Sequence, residues 1–265
     1  MLPVAIDPWN PDDYERYRHE RSQAFRDLAA LVKPAPGLEV VDLGCGTGEL
    51  TRELHRNLEA SSTLGVDSSK AMLERCRAFE EPGLTFRHEN IETFTPEEPV
   101  DLVFSNAALQ WVPDHRTLIP RLARFVAPGG QIAIQVPANE DQPSHTVATR
   151  VAGEEPFRTA LGGFVMRPAT LGPEQYASLL WRSGFRDLHV RLQVYTHELG
   201  GPEDVVDWVK GSLLNAYKLR LTPELYAEFL ARYATLLLRE VQGGSPFLFT
   251  FKRVLVWGRR DPASG

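Results

Sequence analysis

The chain has 265 residues, 43% of them hydrophobic, enough for one large domain or for one domain with an appended cap. Its net charge of −6 excludes a chain-wide basic face for nucleic acid, so an acidic small substrate would need a local basic pocket. The two cysteines, Cys45 and Cys76, exclude a disulfide framework and a zinc cluster. Met1 to Trp9 lacks the basic region and apolar run of a signal peptide, and no apolar stretch is long enough to span a bilayer. A soluble, cytoplasmic protein is expected.

Trp9-Asn10-Pro11 precedes an amphipathic stretch from Asp12 to Leu31, with Pro11 as a reasonable helix start. Tyr14, Tyr17, the Arg21 stem, Phe25, Leu28 and Leu31 recur at helical spacing, so the helix either covers the edge of the core or forms a lid over a ligand. Pro34 to Gly37 ends it. A strand over Glu39 to Leu43 leads through a glycine loop into a helix from Glu49 to Leu58, with Leu50, Leu54 and Leu58 on one face. A strand over Thr63 to Asp67 is followed by a helix from Lys70 to Phe79, capped by Ser68 or Ser69. Strands over Leu84 to His88 and Val100 to Ser105 follow, the latter almost continuously apolar, as a buried parallel strand should be.

A helix from Arg116 to Val126 stops at Pro128-Gly129-Gly130, and Gln131 to Val136 makes the fifth strand. This alternation predicts an α/β fold with a parallel sheet and helices on both faces. Pro137 to Gly163 is the least regular region, either a solvated connection or part of a substrate pocket. A helix from Pro173 to Ser183 and a strand from Leu188 to His197 come next. Glu203 to Val241 reads as two or three helices, Phe247 to Trp257 as the seventh strand, and Asp261 to Gly265 as a disordered tail.

The chemistry concentrates where the first strand ends, in Asp42-Leu43-Gly44-Cys45-Gly46-Thr47-Gly48. Glycines let the backbone turn tightly and let a ligand approach without a Cβ in the way. The Gly-x-Gly-x-Gly spacing differs from the Gly-x-Gly-x-x-Gly of dinucleotide folds. A second acid, Asp67, ends the next strand, where it can accept hydrogen bonds from two ribose hydroxyls. Ligands of open parallel sheets gather at the carboxyl ends of the strands, which also places Ser68, Met72, Asn90, Ile91, Asn106 and Trp111 there. Met72 suits a flat adenine or, equally, the core; Asn90 could bond the adenine amino group and Ile91 touch the ring.

Glycine loop and paired acids together resemble the cofactor site of class I methyltransferases, which bind S-adenosylmethionine. Further stretches resemble one family, the trans-aconitate 2-methyltransferases: Trp9-Asn10-Pro11 with Tyr14, Glu20-Arg21-Ser22, Asp67-Ser68-Ser69 and Leu109-Gln110-Trp111-Val112-Pro113-Asp114-His115. Gln135-Val136-Pro137 through Asn139, Pro143 with His145, Asp207-Trp208-Val209 and Arg253 extend the match over nearly the whole chain. The resemblance implies a Rossmann-like sheet of seven strands, the last antiparallel, with a helical cap. It implies transfer of the S-adenosylmethionine methyl group to a carboxylate of a small polycarboxylate, giving a methyl ester.

The implied cofactor residues are Arg21, Asp42, Gly44, Cys45, Gly46, Asp67, Ser68, Met72, Asn90, Ile91, Asn106 and Trp111. The implied substrate residues are Tyr14, Tyr17, Gln110, Asn139, His145 and Arg253. The implied layout is a lid helix over residues 1–36, a methyltransferase domain over 37–200 and 246–260, and a cap over 201–245. Ala138 stands where the family has an acid, Asn90 where it has an aspartate, and Asn215 and Ala216 where it has an arginine and a proline. Changes in the substrate region lead us to expect weaker use of trans-aconitate than of a less charged or larger acid.

A carboxylate is already ionised near neutral pH, so no catalytic base is assigned and no metal is called for; His115 and His145 are read as structural or substrate-binding. Arg21, Arg158, Arg167, Arg253 and Lys210 are the cations that could hold further carboxylates. The expected partner is a small-molecule acid, with no nucleic acid, no membrane and a monomeric chain. Two other readings stay open: methylation of another small molecule at oxygen or nitrogen, and a non-catalytic protein that binds S-adenosylmethionine. A nicotinamide-dependent oxidoreductase is disfavoured by the glycine spacing.

Overall fold

The computed structural model describes residues 18–167 and 169–263, with side chains from Ser22 onward. Seven strands form one sheet: β1 (Glu39–Leu43), β2 (Ser62–Asp67), β3 (Leu84–His88), β4 (Val100–Asn106), β5 (Val126–Pro137), β6 (Phe185–Leu199) and β7 (Phe247–Arg260). Their order is β3-β2-β1-β4-β5-β7-β6, with β1 to β5 parallel and β7 antiparallel to both neighbours. The chain winds outward from β1 to β3, then returns to the centre at β4. The carboxyl ends of β1 and β4 therefore flank the point where the strand order reverses, which is where such sheets open a crevice.

Side chains alternate between the two faces of each strand, and both faces are apolar. On one face, Phe25 and Leu28 of α1 (Arg18–Ala29) and Leu54 of α2 (Glu49–Asn57) bury against Val40, Leu102, Phe104 and Trp257. The Phe25 and Phe104 rings lie 5.0 Å apart. Each such buried side chain contributes about 1.5–3 kcal/mol, so this half of α1 is a core element. On the other face, α4 (His115–Ala123) and α7 (Pro173–Arg182) bring Ile119, Leu122 and Leu180 over Val103, Ile132, Ile134 and Val256. Between β2 and β3, α3 (Lys70–Cys76) begins at Ser69, whose hydroxyl accepts from the Met72 N–H at 3.1 Å and so caps it.

A second apolar core lies beyond the sheet. It joins α5 (Pro143–Ala152) and α6 (Phe157–Ala160), which follow β5, to α8 (Asp204–Lys210), α9 (Asn215–Lys218) and α10 (Pro223–Glu240), which lie between β6 and β7. Val147 and Val151 pack with Trp208, Val209, Tyr217 and Phe229, while Phe249 and Phe251 of β7 reach in from the sheet. The Trp208 ring lies 5.5 Å from Phe249 and 5.9 Å from Phe251.

Several sequence expectations change. Pro137 to Gly163 contains α5 and α6; the buried face of α5 is Val147, Ala148, Val151 and Ala152, small residues that give a weak helical pattern but pack closely. The helix expected to reach Val126 ends at Ala123, because Val126 already pairs with Val100. Pro128-Gly129-Gly130 is then a bulge inside β5, since the next pair is Leu102 with Gln131, and Gly129 takes the positive φ of 79° that the bulge requires. Strand β6 begins at Phe185, three residues early, with its own irregularity around Asp187 (φ 49°). The α3 helix gives way to a tighter turn at Arg77–Phe79. Asp261 is held to the sheet, its N–H donating to Gly184 O at 2.9 Å. Among the described residues no helix is long and apolar enough to cross a membrane.

Candidate active site

Two cavities open at the carboxyl ends of the strands and share Trp111. The first, about 820 Å³ of open space, lies over the reversal point between β1 and β4. Its floor is the glycine loop. Gly44 has φ +83°, and a Cβ there would stand 2.1 Å from Ala108 Cβ, so only glycine fits. A Cβ on Gly46 would meet nothing within 4 Å, because that residue faces the open cavity. Asp67 fixes the loop from the neighbouring strand: Oδ2 accepts from Gly46 N–H at 2.9 Å and Oδ1 from Ser69 N–H at 2.8 Å. Asp67 also lines the cavity itself.

Ser68, Met72, Asn90, Ile91, Glu92 and Asn106 complete the walls with Ala107, Ala108 and Val112. Ala107, at φ +53°, turns the chain away from β4 while its N–H donates to Gln135 O. Among the described residues, Asn106 Oδ1 is buried with no hydrogen-bond partner. A buried acceptor left without a donor is unfavourable by about 1–3 kcal/mol, so the cavity calls for a ligand that donates there. A nucleoside with an aminoacyl arm fits this donor and acceptor set: Asp67 for vicinal hydroxyls, Met72 and Ile91 for a flat ring, and Asn106 for an ammonium.

Asp42 and Cys45 stand behind the loop and line neither cavity. Asp42 is buried, and its Oδ2 accepts from Thr51 Oγ1 at 2.7 Å. Burial pushes its carboxyl up to about 7, against the Thr51 bond and with help from the nearby Asp67 charge. Asp42 therefore joins β1 to α2 under the glycine loop. The Cys45 thiol is raised by hydrogen bonding with Cys76 and by burial, and Cys76 Sγ donates to Gly46 O at 3.1 Å. The Asn90 carbonyl, expected to receive an adenine amino group, already accepts from Glu92 N–H at 2.9 Å.

The second cavity, about 810 Å³ of open space, lies between the sheet edge and the second apolar core. Gln110, Asn139 and His145, all expected from the sequence, line it. Asn139 is spent on structure: its amide donates to Lys252 O at 3.0 Å and its carbonyl accepts from Lys252 N–H at 2.7 Å, extending the pairing of β5 with β7. Burial lowers the His145 imidazole to about 4, so it is neutral near pH 7. His115 lines neither cavity. It is buried, with Nε2 at 2.8 Å from Leu109 O and Nδ1 at 2.6 Å from Tyr176 OH, which also accepts from Leu171 N–H. This chain ties the turn bearing Gln110 and Trp111 to α7.

Of the cations considered, Arg158 pairs with Glu155 and Lys210 with Asp207 on the surface, and Arg167 is exposed and is not among the lining residues of either cavity. Arg253 is buried on the α1 face of β7, donating to Gln135 Oε1 at 3.2 Å, and lines neither cavity. Asn215, Ala216 and Ala138 also lie outside the walls. Tyr14, Tyr17 and the Arg21 side chain fall outside the described residues. Sequence reasoning missed Glu140, Thr149, Met166, Ala169, Thr170, Val209, Ser212, Leu213 and Phe251. The spacing of His145 and Thr149, one helical turn apart, and the matched stretch ending in Val209 were the signals for any of them. Among the described residues, no group of three His, Cys, Asp or Glu could hold a metal ion.

The comparisons with known proteins agree with this geometry. Residues 40–130 match the family model described as a methyltransferase domain. The trans-aconitate 2-methyltransferase of Deinococcus radiodurans is 42% identical over 93% of this chain and 96% of that one. The enzyme of the same name from Methylobacterium nodulans is 37% identical over 95% and 98%. A solved S-adenosylmethionine-dependent methyltransferase from Mesorhizobium loti shares the fold at a TM-score of 0.51, with 22% identity over 91% of this chain and 98% of that one. The molecule is an S-adenosylmethionine-dependent methyltransferase of class I with a small-molecule substrate, and its chain belongs to the trans-aconitate 2-methyltransferase family.

Proposed function

We propose that the enzyme transfers a methyl group to a carboxylate of a small organic acid of the trans-aconitate type, giving a methyl ester. The observation that carries this is the second cavity, which meets the cofactor cavity at Trp111 in a chain whose relatives, matched almost end to end, bear that name. S-adenosylmethionine, when bound, supplies a methyl group on a positively charged sulfur. Asp67 would hold the ribose hydroxyls, Met72 and Ile91 would lie against the adenine, and Asn106 would accept from the amino group. Trp111 and Gln110, held by the His115 and Tyr176 chain, shape the passage between the cavities and exclude water from it.

The acceptor oxygen needs no proton removed, and a neutral His145 suits a wall that binds without acting as a base. Catalysis in this reading is positioning: two reactants held in line, with the entropic advantage of a unimolecular step. The helices of 201–245 serve as the cap, and the ligand-binding roles read for Tyr14, Tyr17 and Arg21 fall on residues outside the described side chains. The enzyme acts as a cytoplasmic monomer on a free small molecule, without nucleic acid or membrane.

The test is incubation with methyl-labelled cofactor and a panel of small carboxylic acids including trans-aconitate. The expected product is an alkali-labile methyl ester formed with one S-adenosylhomocysteine per ester. A chain that binds the cofactor but esterifies no acid would overturn the reading.

A further inference from the structure

The described wall of the acceptor cavity is rich in hydrogen-bond acceptors near Glu140 and Gln110. Glu140 lines it, and Thr170 Oγ1, from the segment entering α7, donates to its carboxylate across the cavity wall. Gln110 donates its amide N–H to Ala107 O at 2.7 Å, which leaves its carbonyl oxygen buried without a partner among the described residues. No lysine or arginine is among the described residues of the wall. Lys252, adjacent in the fold, is tied to the Asp141 carboxylate. His145 is neutral, so it adds no positive charge. The described wall thus offers one negative charge and one unmet acceptor, which favours beside Glu140 a group that donates a hydrogen bond over a second carboxylate.

The position of Glu140 is fixed from both sides. The residue before it, Asn139, is bonded through both amide functions to the Lys252 backbone. Its partner Thr170 precedes Leu171, whose N–H donates to Tyr176 OH at 3.2 Å, and Tyr176 joins His115 and the Gln110 turn. A carboxylate held this firmly discriminates by charge and hydrogen bonding, since it has little freedom to swing away.

We propose that Glu140 is the specificity-determining residue of the acceptor cavity. The favoured substrate is then an organic acid that carries a hydrogen-bond donor, a hydroxyl or an ammonium, at the end remote from the methylated carboxylate. This rests on the carboxyl methyl transfer proposed above and narrows the acid it acts on. Glu140 accepts from the remote donor, while the near carboxylate lies toward Trp111 and the cofactor cavity.

The test uses the full-length enzyme with saturating S-adenosylmethionine and acids of one length: pentanoate, glutarate, and pentanoate ending in a hydroxyl or an ammonium group, with trans-aconitate as reference. Expected for the wild type is a kcat/KM at least about tenfold higher for a donor-bearing acid than for glutarate, a lower bound on what a site that hydrogen-bonds a substrate donor can supply. The hydroxyl and ammonium members distinguish a neutral donor from a cation. Glu140→Gln should reduce that ratio about tenfold, mainly through KM, while Glu140→Asp, which keeps the charge, should retain the preference. Melting temperature and cofactor affinity of both variants should match the wild type, because Glu140 is outside the cofactor cavity. A wild type that prefers glutarate or trans-aconitate, with a ratio unchanged within about twofold in Glu140→Gln, would overturn the inference while leaving carboxyl transfer intact. Failure to methylate every acid despite cofactor binding would remove both.

Discussion

The two cavities meet at one tryptophan but are assembled in different ways. The cofactor cavity is drawn from the loops that follow β1, β2, β3 and β4, all within residues 44–112. Much of it is backbone: a glycine floor, amide groups held by Asp67, and a left-handed turn at Ala107. The acceptor cavity joins the end of β5, the helix α5, the segment before α7, the helix α8 and the strand β7, spanning residues 110–251. Its character comes from side chains on elements far apart in sequence. The cofactor is fixed chemistry, and turn and strand-end rules specify such a site locally. The second cavity is walled by side chains that converge only after the second apolar core forms.

Placing a Cβ at Gly44 should do the largest damage to the local site. It would lie 2.1 Å from Ala108 Cβ at φ +83°, adding overpacking of about 1–3 kcal/mol to backbone strain of about 1–2 kcal/mol. Gly44→Ala is expected to lose calorimetric binding of S-adenosylmethionine by a hundredfold or more, or to fold poorly. Binding within twofold of the wild type would mean that the floor is not rigid.

Asp42 tests whether the support behind that floor is electrostatically strained. Its folded pKa of about 7 lies above the 3.8 of a free carboxyl, so the folded chain keeps a proton that the unfolded chain releases. Stability is therefore lost as pH rises from about 4 to about 7, by about 1.4 kcal/mol per unit, and is level above that. Asp42→Asn should remove this slope, so that denaturant unfolding finds the variant gaining on the wild type through that window and the gap constant at higher pH. Parallel pH curves would exclude the raised pKa.

Asp67→Ala strips two charge-assisted backbone bonds, at about 1.5–3 kcal/mol each, and the proposed ribose partner. We expect roughly a hundredfold weaker cofactor affinity with a KM for the acceptor that changes little at saturating cofactor. An acceptor KM that rises in step would show that the two cavities are coupled more tightly than their shared tryptophan implies.

The smallest effect should come from His145→Gln. A neutral imidazole that binds but takes no proton should leave kcat within about threefold and its pH profile flat from about 6 to 8. A lost limb in that profile would give His145 a proton-transfer role and favour an acceptor hydroxyl or amine.

Much of this was legible before folding was considered. Alternating apolar strands and helices fixed the α/β class, because Val40, Val103 and Ile134 must be buried on both sheet faces and only a doubly covered parallel sheet does that. The glycine loop and Asp67 announced the cofactor site, since left-handed turns and strand-end acids are local requirements written in adjacent residues. Other signals misled for equally local reasons. Pro128-Gly129-Gly130 reads as a helix stop but is a bulge, because Val100 had already claimed Val126. Asp42 reads as a ligand contact but is buried against Thr51, one helix away.

Chain order and periodicity determined the sheet, its covering helices and where a nucleoside would lie. Only the tertiary structure decided the acceptor wall. Glu140 meets Thr170 and Phe251 joins Val209 because β7 returns between β5 and β6, bringing α8 against α5. That convergence is set by the burial of Trp208, Val147 and Phe249 in a common core, a long-range energy term that no short window of sequence contains.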